Sequence, residues 1–160
     1  MTRRIFISLP IFTTFAFGFF SFWKKEDRWD ALESVQNQLF PKTKRYPSAS
    51  EFEAIRYLKV VSKDNSFDKD DLEFLFRGVE ELQRRGYKTD LSFIEKEKIL
   101  KAFSKERFGE NWISMILTYT LEALFSDPLY GGNVKEIGWK SFDHNSGVPR
   151  PKKRFGVIHV

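Results

Sequence analysis

The side chains of this sequence best suited to moving protons or holding cations are two histidines and one run of acids. Asp143 directly precedes His144, and a carboxylate that orients an imidazole is the usual arrangement of a general base. Neighbouring residues rarely point the same way, however, and both His144 and His159 fall in a Gly- and Pro-containing stretch, so they read as solvated loop side chains. In KDNSFDKDD, Lys63 to Asp71, the residues Asp64, Ser66, Asp68 and Asp70 alternate like the oxygen ligands of a calcium loop. Lys69 stands where that loop needs glycine and Leu75 where it needs a bidentate glutamate, so the acids are expected instead at the amino terminus of a helix, where the dipole favours them. Gly131-Gly132 is a lone pair, and neither GxGxxG nor a phosphate loop occurs. The absence of cysteine excludes disulfides, thiolate metal sites and cysteine nucleophiles. The chain is therefore expected to carry no catalytic, cofactor-binding or metal site of its own.

The elements around these candidates read as helices joined by short polar breaks. Arg28 to Phe40 sets Leu32, Val35 and Leu39 on one face and stops at Pro41. Ser48 and Glu51 have capping-box spacing ahead of Phe52, Ile55 and Leu58, and Ser92 and Glu95 have it ahead of Ile99, Leu100 and Phe103. Asp68 to Arg85 carries the clearest stripe, Leu72, Leu75, Phe76, Val79 and Leu82, with Gly86 as its stop. A last helix from about Asn111 to Phe125 turns Trp112, Met115, Ile116, Tyr119, Ala123 and Leu124 inward. No segment alternates with period two. The expected fold is all-α: a small orthogonal helical bundle over residues 26–126 with an irregular tail over 127–160.

Residues 1–25 read differently. Arg3 and Arg4 precede an uncharged apolar run from Ile5 to Trp23, closed by Lys24 and Lys25, which is the layout of an export signal or membrane anchor. At about 1.5 Å per residue that run is just long enough to span a bilayer core. Thr2-Arg3-Arg4-Ile5-Phe6-Ile7 resembles the twin-arginine export signal, in which Arg3, Arg4 and Phe6 would be the recognised residues. That route carries folded cargo. No small-x-small site precedes Lys24, so an uncleaved anchor is an open alternative. The formal charge is +5, of which two are Arg3 and Arg4, leaving +3 among many acids. Such a mild excess excludes an argument for nucleic acid, and the cluster Arg150, Lys152, Lys153 and Arg154 reads as a solvated tail.

The stretch SDPLYGGN, Ser126 to Asn133, is in part helix punctuation. The residue before a proline leaves the α region, so Asp127-Pro128 stops the helix, and Gly131, Gly132 and Asn133 permit the positive φ of a tight reversal. Punctuation leaves Leu129, Tyr130, Trp139 and Phe142 unexplained. Large aromatics on a segment without helical period pack either on their own bundle or on another protein.

Several blocks in order are similar to one family: Leu39-Phe40-Pro41, Pro47-Ser48-Ala49, Tyr57-Leu58, Thr120 to Phe125, Ser126 to Asn133, Gly138-Trp139 and Gly147-Val148-Pro149. Together they resemble the small subunit of gluconate 2-dehydrogenase and related membrane-bound sugar dehydrogenases, with DPxYGGN followed by Gly-Trp as the most specific part. The resemblance implies a non-catalytic subunit on the periplasmic side of the inner membrane. In that arrangement a large flavoprotein of the glucose-methanol-choline type holds FAD and oxidises D-gluconate to 2-dehydro-D-gluconate, and a cytochrome c subunit carries haem. The small chain would bring the flavoprotein to the twin-arginine translocase and support its maturation, with Leu129, Tyr130, Gly131, Gly132, Asn133 and Trp139 forming or supporting the docking surface. The competing expectation is a solitary membrane-anchored interaction domain.

Overall fold

The computed structural model describes residues 25–153, with side chains from Arg28 onward. The export pattern at Arg3, Arg4 and Phe6, the apolar run to Trp23, and His159 lie outside them. The described residues form helices only: α1 (Lys25–Leu39), α2 (Ala54–Val61), α3 (Lys69–Arg84), α4 (Phe93–Phe103), α5 (Arg107–Phe125) and α6 (Ile137–Ser141), with two single 3-10 turns, Pro128–Tyr130 and Val134–Glu136, between α5 and α6. The fold is all-α, and no helix among the described residues is long and apolar enough to cross a membrane.

Local signals place most helix ends. Asp68 caps α3 by accepting from the Asp70 N–H at 2.9 Å. At the other end Gly86 takes φ 87°, so its N–H reaches Gln83 O and the Tyr87 N–H reaches Leu82 O. This is the Schellman arrangement, and Tyr87 seals it by burial. Ser92 and Glu95 form a reciprocal capping box on α4. The box at Ser48 and Glu51 also forms, each residue's N–H bonded to the other's side chain, but α2 starts only at Ala54. Glu53 turns left-handed at φ 56° and breaks the run. Phe52 can then fill one core while Ile55 and Leu58 face another. The start of α5 is earlier than its apolar period from Trp112 suggests, because Phe108 packs on Phe74 and Phe103 and Gly109 lets the new helix pass against the Phe103 carbonyl.

The main core lies between α1, α3, α4 and α5, with Ile55 and Leu58 of α2 reaching into it, and centres on Trp112, Phe103, Leu75 and Val79. Gly78 makes room for the α5 side chain Trp112 on α3, since a Cβ there would overlap the indole, whose Nε1 donates to Leu75 O at 2.9 Å. A second, smaller core of Ala49, Phe52, Ala54, Tyr57, Ala123 and Leu124 lies between α2 and the end of α5. Tyr130 and Ile137 close over it, so the first part of the expected irregular tail, residues 128–141, is short helical pieces docked on the bundle.

Candidate functional site

The carboxyl end of α5 must find partners for carbonyls that no further helical turn can bond. The segment after Ser126 supplies them. Asn133, fully buried at φ 47°, donates its Nδ2 to Ser126 O at 2.9 Å and accepts the Gly138 N–H on Oδ1 at 2.8 Å. Trp139 donates its indole Nε1 to Phe125 O at 2.8 Å and is 6% exposed. Asn tolerates the left-handed region better than other L residues except Gly, which fits the turn it occupies. Asp127 caps the first 3-10 turn by accepting from the Leu129 N–H at 2.9 Å, and Gly131 closes that turn at φ 96°. At Gly132 and Gly138 a Cβ would overlap the Ala123 and Leu124 carbonyls, so both glycines serve close backbone approach.

Arg150 ties the next stretch back onto this clamp. Its guanidinium reaches Asp127 Oδ2 at 2.8 Å and Glu136 Oε1 at 2.6 Å, and lies 4.8 Å over the Trp139 ring. The hydrogen bond from Arg150 is the main reason the Glu136 carboxyl is held below its usual range, and the same bonds, to Glu136 first and Asp127 second, hold the guanidinium above its own. Among the residues read as a solvated basic cluster, Arg150 is thus a half-buried structural tie, while Lys152 and Lys153 are exposed.

Of the docking residues expected from the sequence, the structure brings all six into this one segment but gives them different places. Gly132, Asn133 and Trp139 are buried against the end of α5 and Gly131 against α2, beneath the surface they would support. Leu129 and Tyr130 are half-buried, and Tyr130 borders a cleft of about 540 Å³ shared with Tyr57, Phe67, Tyr119, Glu122 and Asp127. There Tyr57 donates to Glu122 Oε2 at 3.1 Å and Tyr119 to Asp71 Oδ2 at 2.5 Å. Burial first, and then the neighbouring carboxylates, push both phenols above their usual range.

The other chemical candidates are occupied by local structure. His144 is exposed, and its ring stands edge-on to Trp139 at 6.1 Å while its N–H donates to Trp139 O. In the acidic loop, Asp64 accepts from both Ser66 N and Ser66 Oγ, and the Lys69 ammonium donates to Ser62 O and Asp64 O at 3.1 and 3.0 Å. The lysine that broke the calcium pattern therefore supplies that loop with a covalent cation. Among the described residues no three His, Asp or Glu side chains come together as a metal-binding group.

One surface escaped the reading of the sequence. Phe142, just beyond α6, stacks on Tyr46 at 4.8 Å and 23° and meets Phe125 at 5.1 Å. In the sequence Phe125 reads only as a helix end, and Tyr46 carries no signal. The unexplained Phe142 was the signal that pointed here. Its partners come from segments far apart in the chain, so no spacing connects them.

The family described as gluconate 2-dehydrogenase subunit 3 matches residues 26–147 of the chain. No curated protein and no solved structure matches it.

Proposed function

Because the chain belongs to the gluconate 2-dehydrogenase subunit 3 family, we propose that it is the non-catalytic small subunit of a periplasmic, membrane-associated dehydrogenase that oxidises gluconate or a related sugar or sugar acid. A large glucose-methanol-choline-type flavoprotein carries FAD and the active site. It converts D-gluconate to 2-dehydro-D-gluconate and passes electrons to a cytochrome c subunit. This chain binds the flavoprotein after it has folded around FAD, presents the signal at Arg3, Arg4 and Phe6 to the twin-arginine translocase, and holds the exported complex at the inner membrane.

The observation that carries this reading is the family match over residues 26–147, which identifies a subunit and so a complex. The geometry supports it. Asn133 and Trp139 bond to this chain's own backbone, and Asp127 to the Leu129 N–H and to Arg150, which suits a scaffold that presents a surface to another chain. The leader supports export of folded cargo, since twin arginines followed by an apolar run suit that route.

The test is recovery of the tagged full-length chain from the cell envelope in mild detergent, with assays for bound flavin and for gluconate-dependent reduction of an acceptor dye. A co-purifying flavoprotein that oxidises gluconate is the expected result. A folded chain recovered without flavin would refute the reading in favour of a solitary anchored domain. Replacing Arg3 and Arg4 together with lysine should leave both chains in the cytoplasm, and normal export of the pair would remove the twin-arginine assignment.

A further inference from the structure

Among the described residues Arg150 is the one arginine whose guanidinium pairs with two carboxylates; Arg28, Arg56, Arg84 and Arg85 each pair with one. Its Nε and Nη2 both donate to Asp127 Oδ2, at 2.9 and 2.8 Å, and its Nη1 donates to Glu136 Oε1 at 2.6 Å, while the Trp139 ring lies 4.8 Å from the guanidinium carbon. A site that bonds two edges of a planar cation and stacks on its face reads a guanidinium and not an ammonium, which has neither edge nor face.

The receiving half of this site is fixed without the arginine. Asp127 Oδ1 accepts the Leu129 N–H, the Glu136 N–H bonds to Asn133 O, and the Trp139 indole is bonded to Phe125 O. Lys140 stands 3.8 Å from Glu136 Oε2, the oxygen that Arg150 does not bond, and the His144 ring stands edge-on to Trp139. Two carboxylates against one ammonium leave a net negative charge for a further cation to neutralise. The strap that carries Arg150 has no comparable hold. Residues 145–149 and 151–153 are all exposed, Val148 at 91%, and the one side-chain bond in that stretch besides those of Arg150 runs from the Gly147 N–H to Asn145 Oδ1, within the strap itself. The site therefore grips a single side chain, and the strap follows it.

We infer that Asp127, Glu136 and Trp139 form a preorganised guanidinium-binding site, that Arg150 fills it as a releasable plug, and that an arginine side chain presented from outside displaces Arg150 and frees the strap over residues 145–153. The preorganisation is what allows exchange: the carboxylates and the ring keep their places when the plug leaves, so an incoming guanidinium meets a site already built.

The test uses the full-length chain in mild detergent, as wild type and as Arg150→Ala, with N-acetyl-arginine amide as the probe and N-acetyl-lysine amide and sodium chloride as controls. Binding is read on the Trp139 indole N–H resonance, and the strap on a nitroxide attached through Val148→Cys, the chain having no other cysteine. Arg150→Ala should keep wild-type helicity by circular dichroism and bind the arginine amide saturably with a Kd on the order of 1 mM, roughly ten-fold tighter than the lysine amide. The wild type should need roughly ten-fold more probe, because the tethered Arg150 competes at an effective concentration of about 10 mM, and its nitroxide spectrum should narrow over the same range. In Arg150→Ala the nitroxide should be narrow with or without probe. Absence of a saturable shift in Arg150→Ala, or equal binding of the lysine amide, would overturn the site. A wild-type nitroxide that stays broad at saturating arginine amide, or that sodium chloride narrows equally, would overturn the exchange. Loss of helicity in Arg150→Ala would show that the site exists only around its own arginine, which overturns the inference as well.

Discussion

Replacing Asn133 with alanine isolates what the clamp contributes. The substitution removes two hydrogen bonds and leaves Ser126 O and the Gly138 N–H without their partners at a fully buried position. Each stranded group costs about 1–3 kcal/mol, and an alanine at φ 47° adds about 1 kcal/mol. Partial relaxation and water entry at the edge of the second core favour the lower half of that range, so a loss of ~4 kcal/mol is expected. Because the clamp segment follows the helices of the main core, the loss should appear as local detachment of residues 127–144, with the core around Trp112 intact. Native-state hydrogen exchange read by mass spectrometry resolves the two regions. Amide protection across 133–142 should fall by about three orders of magnitude, a factor of ten per 1.36 kcal/mol, while peptides covering 72–82 and 112–116 keep theirs. Unchanged protection of 133–142, within a factor of about ten, would refute the idea that these bonds hold the segment. Loss of protection in all peptides alike would show that the clamp is an inseparable part of the main fold.

Three further outcomes follow from particular contacts. Gln36 is buried with Oε1 unsatisfied, and its amide donates only to Thr120 Oγ1 at 3.2 Å, so Gln36→Leu should raise the free energy of unfolding by about 1 kcal/mol in urea titration. The Glu136 carboxyl is held below its usual 4.5 chiefly by the bond from Arg150. A lowered folded value means stabilisation present above 4.5 and lost as the pH falls through the folded value, so the Trp139 indole resonance should shift in acid, and Arg150→Gln should abolish that shift. Tyr57 and Tyr119 are raised above 10.0 by burial first, with the Glu122 and Asp71 carboxylates adding to it. A raised folded value gives stabilisation that is complete below 10 and lost as the pH climbs past it, so these two phenols, together with Tyr87, which burial also raises, should titrate late by ultraviolet absorbance, and Glu122→Gln should bring Tyr57 forward.

The sequence alone determined what depends on residues within about one helical turn of each other. The stripe at Leu72, Leu75, Phe76, Val79 and Leu82, the Gly86 stop, the Ser92–Glu95 box and the helix-ending Asp127-Pro128 are all such cases, because periodicity and capping act across three or four residues. The family too was legible in local blocks of sequence, DPLYGGN and Gly-Trp above all. Tertiary structure decided what those blocks do. Asn133 and Trp139 reach carbonyls seven and fourteen residues back, and whether a side chain on an irregular segment points to its own bundle or to solvent has no period to reveal it. The same holds for Phe142, whose partners Tyr46 and Phe125 meet it only after the clamp has closed on the end of α5. Local chemistry specified the pieces, and the pairing of distant loops selected which aromatics became core and which became surface.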